Sequence, residues 1–261
     1  MNQSDHIQFF VDKNSVVRKI WGKSDTVLFI FAGASAEFAL NKAVDWLYFT
    51  GKLPSDPLGR LFSTVSYARK IVFARMDDAH KTIDSLTHIH AAVEKARGFS
   101  IPDWAYRDVL YMLMHYSIAS YELLEKKLTE EEKEEVFNVF FRFGTRMGLK
   151  DLPSTYIEWL PLRNAGLRDD LQMSKFTTDL FRQYKKQLGA VRYFLLIETQ
   201  KLVVPERVRE LLKTSNLTLL TPLIPLYKIT RQLKLDRMLK SFLYPSAYRS
   251  QINELDMAPE I

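Results

Sequence analysis

Residues 129–148 read TEEEKEEVFNVFFRFGTRMG and carry both the start and the stop signal of a helix. Thr129 and Glu132 form a capping box, in which each side chain satisfies the other residue's backbone N–H. Glu130, Glu131 and Glu132 set negative charge against the positive end of the helix dipole, so the acidic run reads as structural. The helix reaches Met147 and stops at Gly148, a residue free to take the left-handed backbone that ends helices.

The same punctuation recurs on both sides. Ser55-Asp56-Pro57 places an N-cap acceptor before a proline at the first helical position, predicting a helix from Pro57 to about Arg75. Asp77-Asp78 is expected to cap the next, which runs through Leu86, Ile89 and Val93 to Gly98. Pro102-Asp103 starts a third, with Val109, Leu110, Leu113, Ile118 and Leu123 as its apolar stripe. Thr155 with Glu158 repeats the capping box, helical runs follow over about 170–187 and 191–202, and Pro205 opens a short one. Pro222 and Pro225 interrupt the apolar run from Leu217 to Tyr227, too broken for one regular helix. Upstream, Thr26 to Leu40 is apolar and rich in small residues, with Glu37 as its only charge. Gly33 and the neighbouring alanines would let another helix, or a flat ligand, come close.

Composition agrees with an all-α chain. Of 261 residues, 47% are hydrophobic and 26% charged, enough to bury a sizeable core, while Gly numbers only 9 and Pro 10. A β-sandwich or barrel needs a turn signal roughly every 8–12 residues, which so few turn-formers do not supply. The expectation is a single large multi-helix domain over residues 1–261. The absence of cysteine excludes disulfides, thiolate metal sites and cysteine nucleophiles. The net charge of +6 could favour an anionic partner, but the basic residues are scattered among acids, which reads as a solvated surface with no nucleic-acid partner. Met1 to Phe10 holds an Asp and a His without an apolar run, and no stretch reaches the ~18 apolar residues of a membrane span. A soluble, cytoplasmic protein without a transmembrane segment is expected.

Five histidines are the candidates for chemistry: His6, His80, His88, His90 and His115. His88 and His90, two apart on one helix, point about 200° from each other and cannot readily chelate one ion. There is no His-Glu-x-x-His, P-loop, Gly-x-Ser-x-Gly or dinucleotide fingerprint. Arg60 and Thr64, one helical turn apart, share a face with Tyr67 nearby. A buried arginine there wants an anion, which a protein carboxylate or a ligand carboxylate could provide. His90, among Leu86, Ile89 and Val93, and His115, between Met114 and Tyr116, could each be ordinary core histidines.

The series Asp56-Pro57-Leu58-Gly59-Arg60-Leu61-Phe62-Ser63-Thr64, then His88-Ile89-His90-Ala91-Ala92-Val93, then Leu113-Met114-His115, with a late Leu243-Tyr244-Pro245, resembles the helical oxygenase family of the latex-clearing protein (rubber oxygenase) and the endoplasmic-reticulum oxygenase MpaB. The resemblance spans about Ser15 to Arg249. It implies an all-α domain with a buried pocket for one haem b, whose iron His90 would bind as the proximal ligand. Arg60 and Thr64 match the family's Arg-x-x-x-Thr pair near the haem and are the implied catalytic pair. Arg60 would meet a haem propionate or order the distal side. His115 falls where relatives often have another histidine, in a supporting part of the cofactor site. The Thr26 to Leu40 helix could then lie close to the flat macrocycle.

Two positions depart from the pattern. Ser63 stands where the latex-clearing branch has a distal lysine, and Glu94 where many relatives favour a basic residue. The implied function is a haem-dependent oxygenase acting with O₂ on a hydrophobic, isoprenoid-like alkene. The missing export signal argues against polymeric rubber as the substrate. The rival reading is a non-catalytic helical protein that binds haem or another small amphiphile. A plain helical bundle follows if His90 and Arg60 have only protein partners. Oligomeric state is not specified by the sequence.

Overall fold

The computed structural model describes residues 8–49, 51 and 55–232. His6 and the Leu243-Tyr244-Pro245 element lie outside the described residues. Within them the chain forms eleven helices and no strand. These are α1 (Val16–Trp21), α2 (Ser24–Leu40), α3 (Val44–Phe49), α4 (Pro57–Phe73), α5 (Met76–Arg97), α6 (Asp103–Leu124), α7 (Glu130–Arg146), α8 (Tyr156–Asp169), α9 (Lys175–Val203), α10 (Glu206–Leu212) and α11 (Leu223–Gln232). The all-α reading is correct.

The apolar, small-residue segment becomes the central helix. Fourteen of the seventeen residues of α2 are buried, and the helix is flanked by α6 and α9. At Gly33 the ring of Tyr116 on α6 sits where a Cβ would be. The small residue thus seats an aromatic ring of a neighbouring helix, so at Gly33 the close approach belongs to α6 and not to a flat ligand. On the other side, Gln200 Nε2 of α9 donates to Ser35 Oγ at 3.1 Å.

Side-chain capping sets the start of five of these helices. Thr129 and Glu132 exchange the two bonds of the box at 3.2 and 3.0 Å, and Gly148 follows with φ +81°. Asp56 caps α4 ahead of Pro57, as expected. Three expectations need correction. First, α4 ends at Phe73, and α5 begins at Met76 with Arg75 as N-cap, so Asp77 and Asp78 lie inside the first turn and neither is the cap. The break is imposed from outside. Phe10 N–H donates to the Ala74 carbonyl at 3.2 Å and Met76 N–H to that of Gln8 at 2.9 Å, holding residues 74–75 extended.

Second, the box at Thr155 is only half formed, because Glu158 Oε2 accepts from Ser154 N–H and not from the cap residue. Third, the first of the two runs starts only at Lys175, with Ser174 and Thr177 as a reciprocal cap, while the two runs themselves meet, as expected, at a break where Gly189 has non-helical backbone (φ 72°, ψ 174°). The apolar run from Leu217 to Tyr227 is not one helix, as expected: helix begins only at Leu223, after Pro222, and Pro225 falls in its first turn, where a missing N–H breaks no intrahelical bond.

Two apolar clusters result. The larger joins α1, α2 and α4 to α8 around Trp21, Ile30, Tyr116, Phe137 and Trp159. The smaller, around Ala39, Val44, Leu58, Leu180 and Tyr184, sits where α2 and α3 meet the starts of α4 and α9. No helix of the described residues is long and apolar enough to cross a membrane.

Candidate functional site

The helix pair α4 and α5 carries Arg60, Thr64 and His90. All three are half-buried, as are Leu61 and Leu86 on the same two helices. Arg60 and His90 are brought together: the guanidinium is close enough that its charge helps to depress the His90 pKa, after burial, while Glu94 opposes the shift. His90 is therefore a neutral imidazole at physiological pH, with a lone pair free to bind. Its Nδ1 is buried and has no hydrogen-bond partner among the described residues. An imidazole with no protein partner on that nitrogen is the opposite of a satisfied core histidine.

Arg60 is the second incomplete group. Burial lowers its pKa, Tyr67 offsets this only in part, and the guanidinium forms no ion pair among the described residues. A desolvated cation without a counter-ion is a site for an anionic group. Thr64 adds less polarity than its type suggests, because its hydroxyl donates to the Arg60 carbonyl at 3.2 Å. The Ser63 hydroxyl does the same at 3.2 Å. Both hydroxyls are folded back onto their own helix.

Tyr106 completes the surroundings of His90. Its ring meets the imidazole edge-on, with centroids 5.3 Å apart and planes at 67°. Its hydroxyl donates to Glu94 Oε1 at 3.2 Å, and the same oxygen accepts from Ile101 N–H at 2.7 Å. Burial and Glu94 together raise the Tyr106 pKa, so the phenol stays protonated. His88, on the far side of α5, is exposed and places Nδ1 2.6 Å from the Asp84 carbonyl.

His115 stands in a different cluster. It lies nine residues beyond Tyr106 on α6, half a turn round the helix, and the charge that acts on it is Arg163. Burial first, and then Arg163, push its pKa down to about 3, so it too is neutral. Arg163 on α8 makes a two-pronged ion pair with Glu37 on α2, both bonds at 2.5 Å, and Tyr116 OH donates to the same carboxylate at 2.9 Å. Asp108 is nearby and buried, accepting from Asn41 Nδ2 at 2.8 Å. Burial, with a further contribution from Asp170, pushes the Asp108 pKa up to about 7. Arg163, Asp108, Asn41 and Tyr106 were not anticipated. One signal existed: a lone charge in an apolar, buried helix, as Glu37 is, requires a cationic partner.

Two cavities open elsewhere. One, of about 690 Å³, is lined by Asp12, Ser15, four glutamates of α7 and Arg142. The other, of about 540 Å³, lies between Phe10, Met76, His80, Asp84 and Phe141. Neither includes Arg60, Thr64, His90 or His115. Among the described residues no group of three or more His, Cys, Asp or Glu side chains could hold a metal ion. A haem iron differs in needing only one axial side chain, and a neutral, unpartnered imidazole beside an unpaired arginine fits that requirement.

No curated protein and no solved structure matches the chain. A sequence model of the family described as ER-bound oxygenase mpaB/B'/Rubber oxygenase, catalytic domain, matches residues 19–244 and takes in all of α2 to α11. The chain, with its histidine and arginine on paired helices, therefore belongs to the mpaB/rubber oxygenase catalytic-domain family.

Proposed function

We propose that the protein is a haem b-dependent oxygenase that acts with O₂ on a hydrophobic alkene of isoprenoid type. The observation that carries this reading is the buried Nδ1 of a neutral His90, next to Arg60, with neither a hydrogen-bond partner for the one nor a counter-ion for the other among the described residues. When bound, haem would supply an iron centre for O₂ chemistry, in which both oxygen atoms can end on the two carbons of a broken double bond without an external reductant. His90 would provide the axial nitrogen, with Tyr106 against its ring. Arg60 would neutralise a propionate, which also relieves the cost of its own burial. Leu61, Leu86, Val109 and Leu113, all half-buried, would offer apolar surface to the macrocycle or to the alkene and help exclude water. Thr64, with its hydroxyl held by the Arg60 carbonyl, retains oxygen lone pairs that can accept a hydrogen bond. His115, beside Arg163, belongs to the separate cluster and would touch the cofactor site only through the packing of α6.

Ser63 favours a second reading. Where relatives have a lysine, this chain has a hydroxyl already donated to the Arg60 carbonyl, so no distal cation comes from that position. A protein that holds haem, or another flat amphiphile, without turning over an alkene would carry the same features. Oxygen uptake separates the two. Haem-loaded protein given an isoprenoid alkene is expected to consume O₂ and release carbonyl products visible by mass spectrometry. Loaded protein that leaves a panel of alkenes intact would establish the binding role instead.

A further inference from the structure

We infer that Glu94 and Tyr106 form a positioning pair that fixes the imidazole plane of His90 for a planar ligand. The inference rests on His90 being the ligand-facing histidine proposed above. A ligating histidine is usually oriented by a hydrogen bond from its second ring nitrogen to a nearby acceptor. Among the described residues no hydrogen bond to His90 orients its ring. What touches the ring is an aromatic wall, Tyr106, set edge-on at 5.3 Å.

Tyr106 is itself held by Glu94. That carboxylate lies one helical turn beyond His90, on the same face of α5. Its Oε1 accepts from the Tyr106 hydroxyl at 3.2 Å and from Ile101 N–H at 2.7 Å. Gly98, with φ +79°, ends α5 and turns the chain back over this carboxylate. One oxygen thus closes the corner between α5 and α6 and sets the tyrosine that borders the histidine. A lysine or arginine has no acceptor and could take neither bond.

The test uses Tyr106→Leu, Tyr106→Phe, Glu94→Ala and Glu94→Gln, read in two ways. In haem-loaded protein, Glu94→Ala and Tyr106→Phe should each speed haem loss, by up to about tenfold, and broaden the ferric EPR signal, which reports the axial ring plane. Because both remove the same bond, the double variant should be no worse than the worse single one. Glu94→Gln keeps an acceptor oxygen and should restore wild-type behaviour. Altered thermal stability with unchanged haem loss and EPR would reduce the pair to scaffolding and overturn the inference. In haem-free protein labelled at histidine, Tyr106→Leu should move the His90 ring-proton signals by removing the ring current. Glu94→Ala should move them in the same direction, and Glu94→Gln should not. If wild-type protein takes up no haem, the haem reading fails, yet the NMR comparison still decides this one: His90 signals indifferent to Tyr106→Leu would refute the pair.

Discussion

The ion pair between Arg163 and Glu37 gives the sharpest test of how the core is held. Both side chains are almost wholly buried, at 5% and 4% exposure, and the two charge-assisted bonds are joined by one from Tyr116. Removing one partner of such a pair strands the other charge in a medium that cannot solvate it, at about 3–5 kcal/mol. The two halves are not equivalent. Glu37→Leu strands a guanidinium that cannot lose its proton, whereas Arg163→Met leaves a carboxylate that can gain one. Glu37→Leu should therefore cost the full ~3–5 kcal/mol, a fall of about 6–20 °C in melting midpoint for a chain of this size. Arg163→Met should cost less, and least at acid pH. The double variant, with neither charge present, should recover much of the loss. Urea titrations of the four proteins, followed by far-UV circular dichroism, measure the cycle. Single losses below about 1 kcal/mol, or strictly additive ones, would refute the reasoning.

Two further outcomes follow from the same core. Gly33→Ala drives a methyl group into the Tyr116 ring, so it should cost at least about 1–3 kcal/mol, and Tyr116→Phe should not relieve it because the overlap is with ring carbons. An unchanged thermal midpoint for Gly33→Ala would show that the ring is not seated there. Asp108 holds its proton more tightly in the folded chain than unfolded, with a folded pKa of about 7 against an ordinary 3.8. Stability from this group is thus present at acid pH and lost as pH rises from about 4 through 7, on the order of 4 kcal/mol. Asp108→Asn should flatten that part of the pH–stability curve, and denaturant midpoints at a series of pH values would show whether it does.

Much of the fold was legible because capping is local. Thr129, Glu132, Asp56 and Gly98 state their roles within a few residues of chain. Errors arose where distant residues intervene. Nothing near Ala74 shows that Gln8 and Phe10 will hold residues 74–75 extended. The site divides in the same way. Arg60 and Thr64 could be placed on one face by spacing alone, and the resemblance picked out His90. That Arg60 and His90 meet across two helices, while His115 turns toward Arg163, depends on tertiary packing that spacing does not encode. Tyr106 was missed because its partners, His90 and Glu94, lie across the turn on another helix.

The central claim is that His90 is the axial ligand of a haem. Its most direct test is the absorption spectrum of haem-reconstituted wild-type protein beside His90→Ala, with circular dichroism confirming that both are folded. The account predicts a Soret band at one haem per chain in the wild type that is lost or displaced in the variant. A folded wild-type protein that takes up no haem, or a His90→Ala variant whose spectrum and stoichiometry are unchanged, would contradict it.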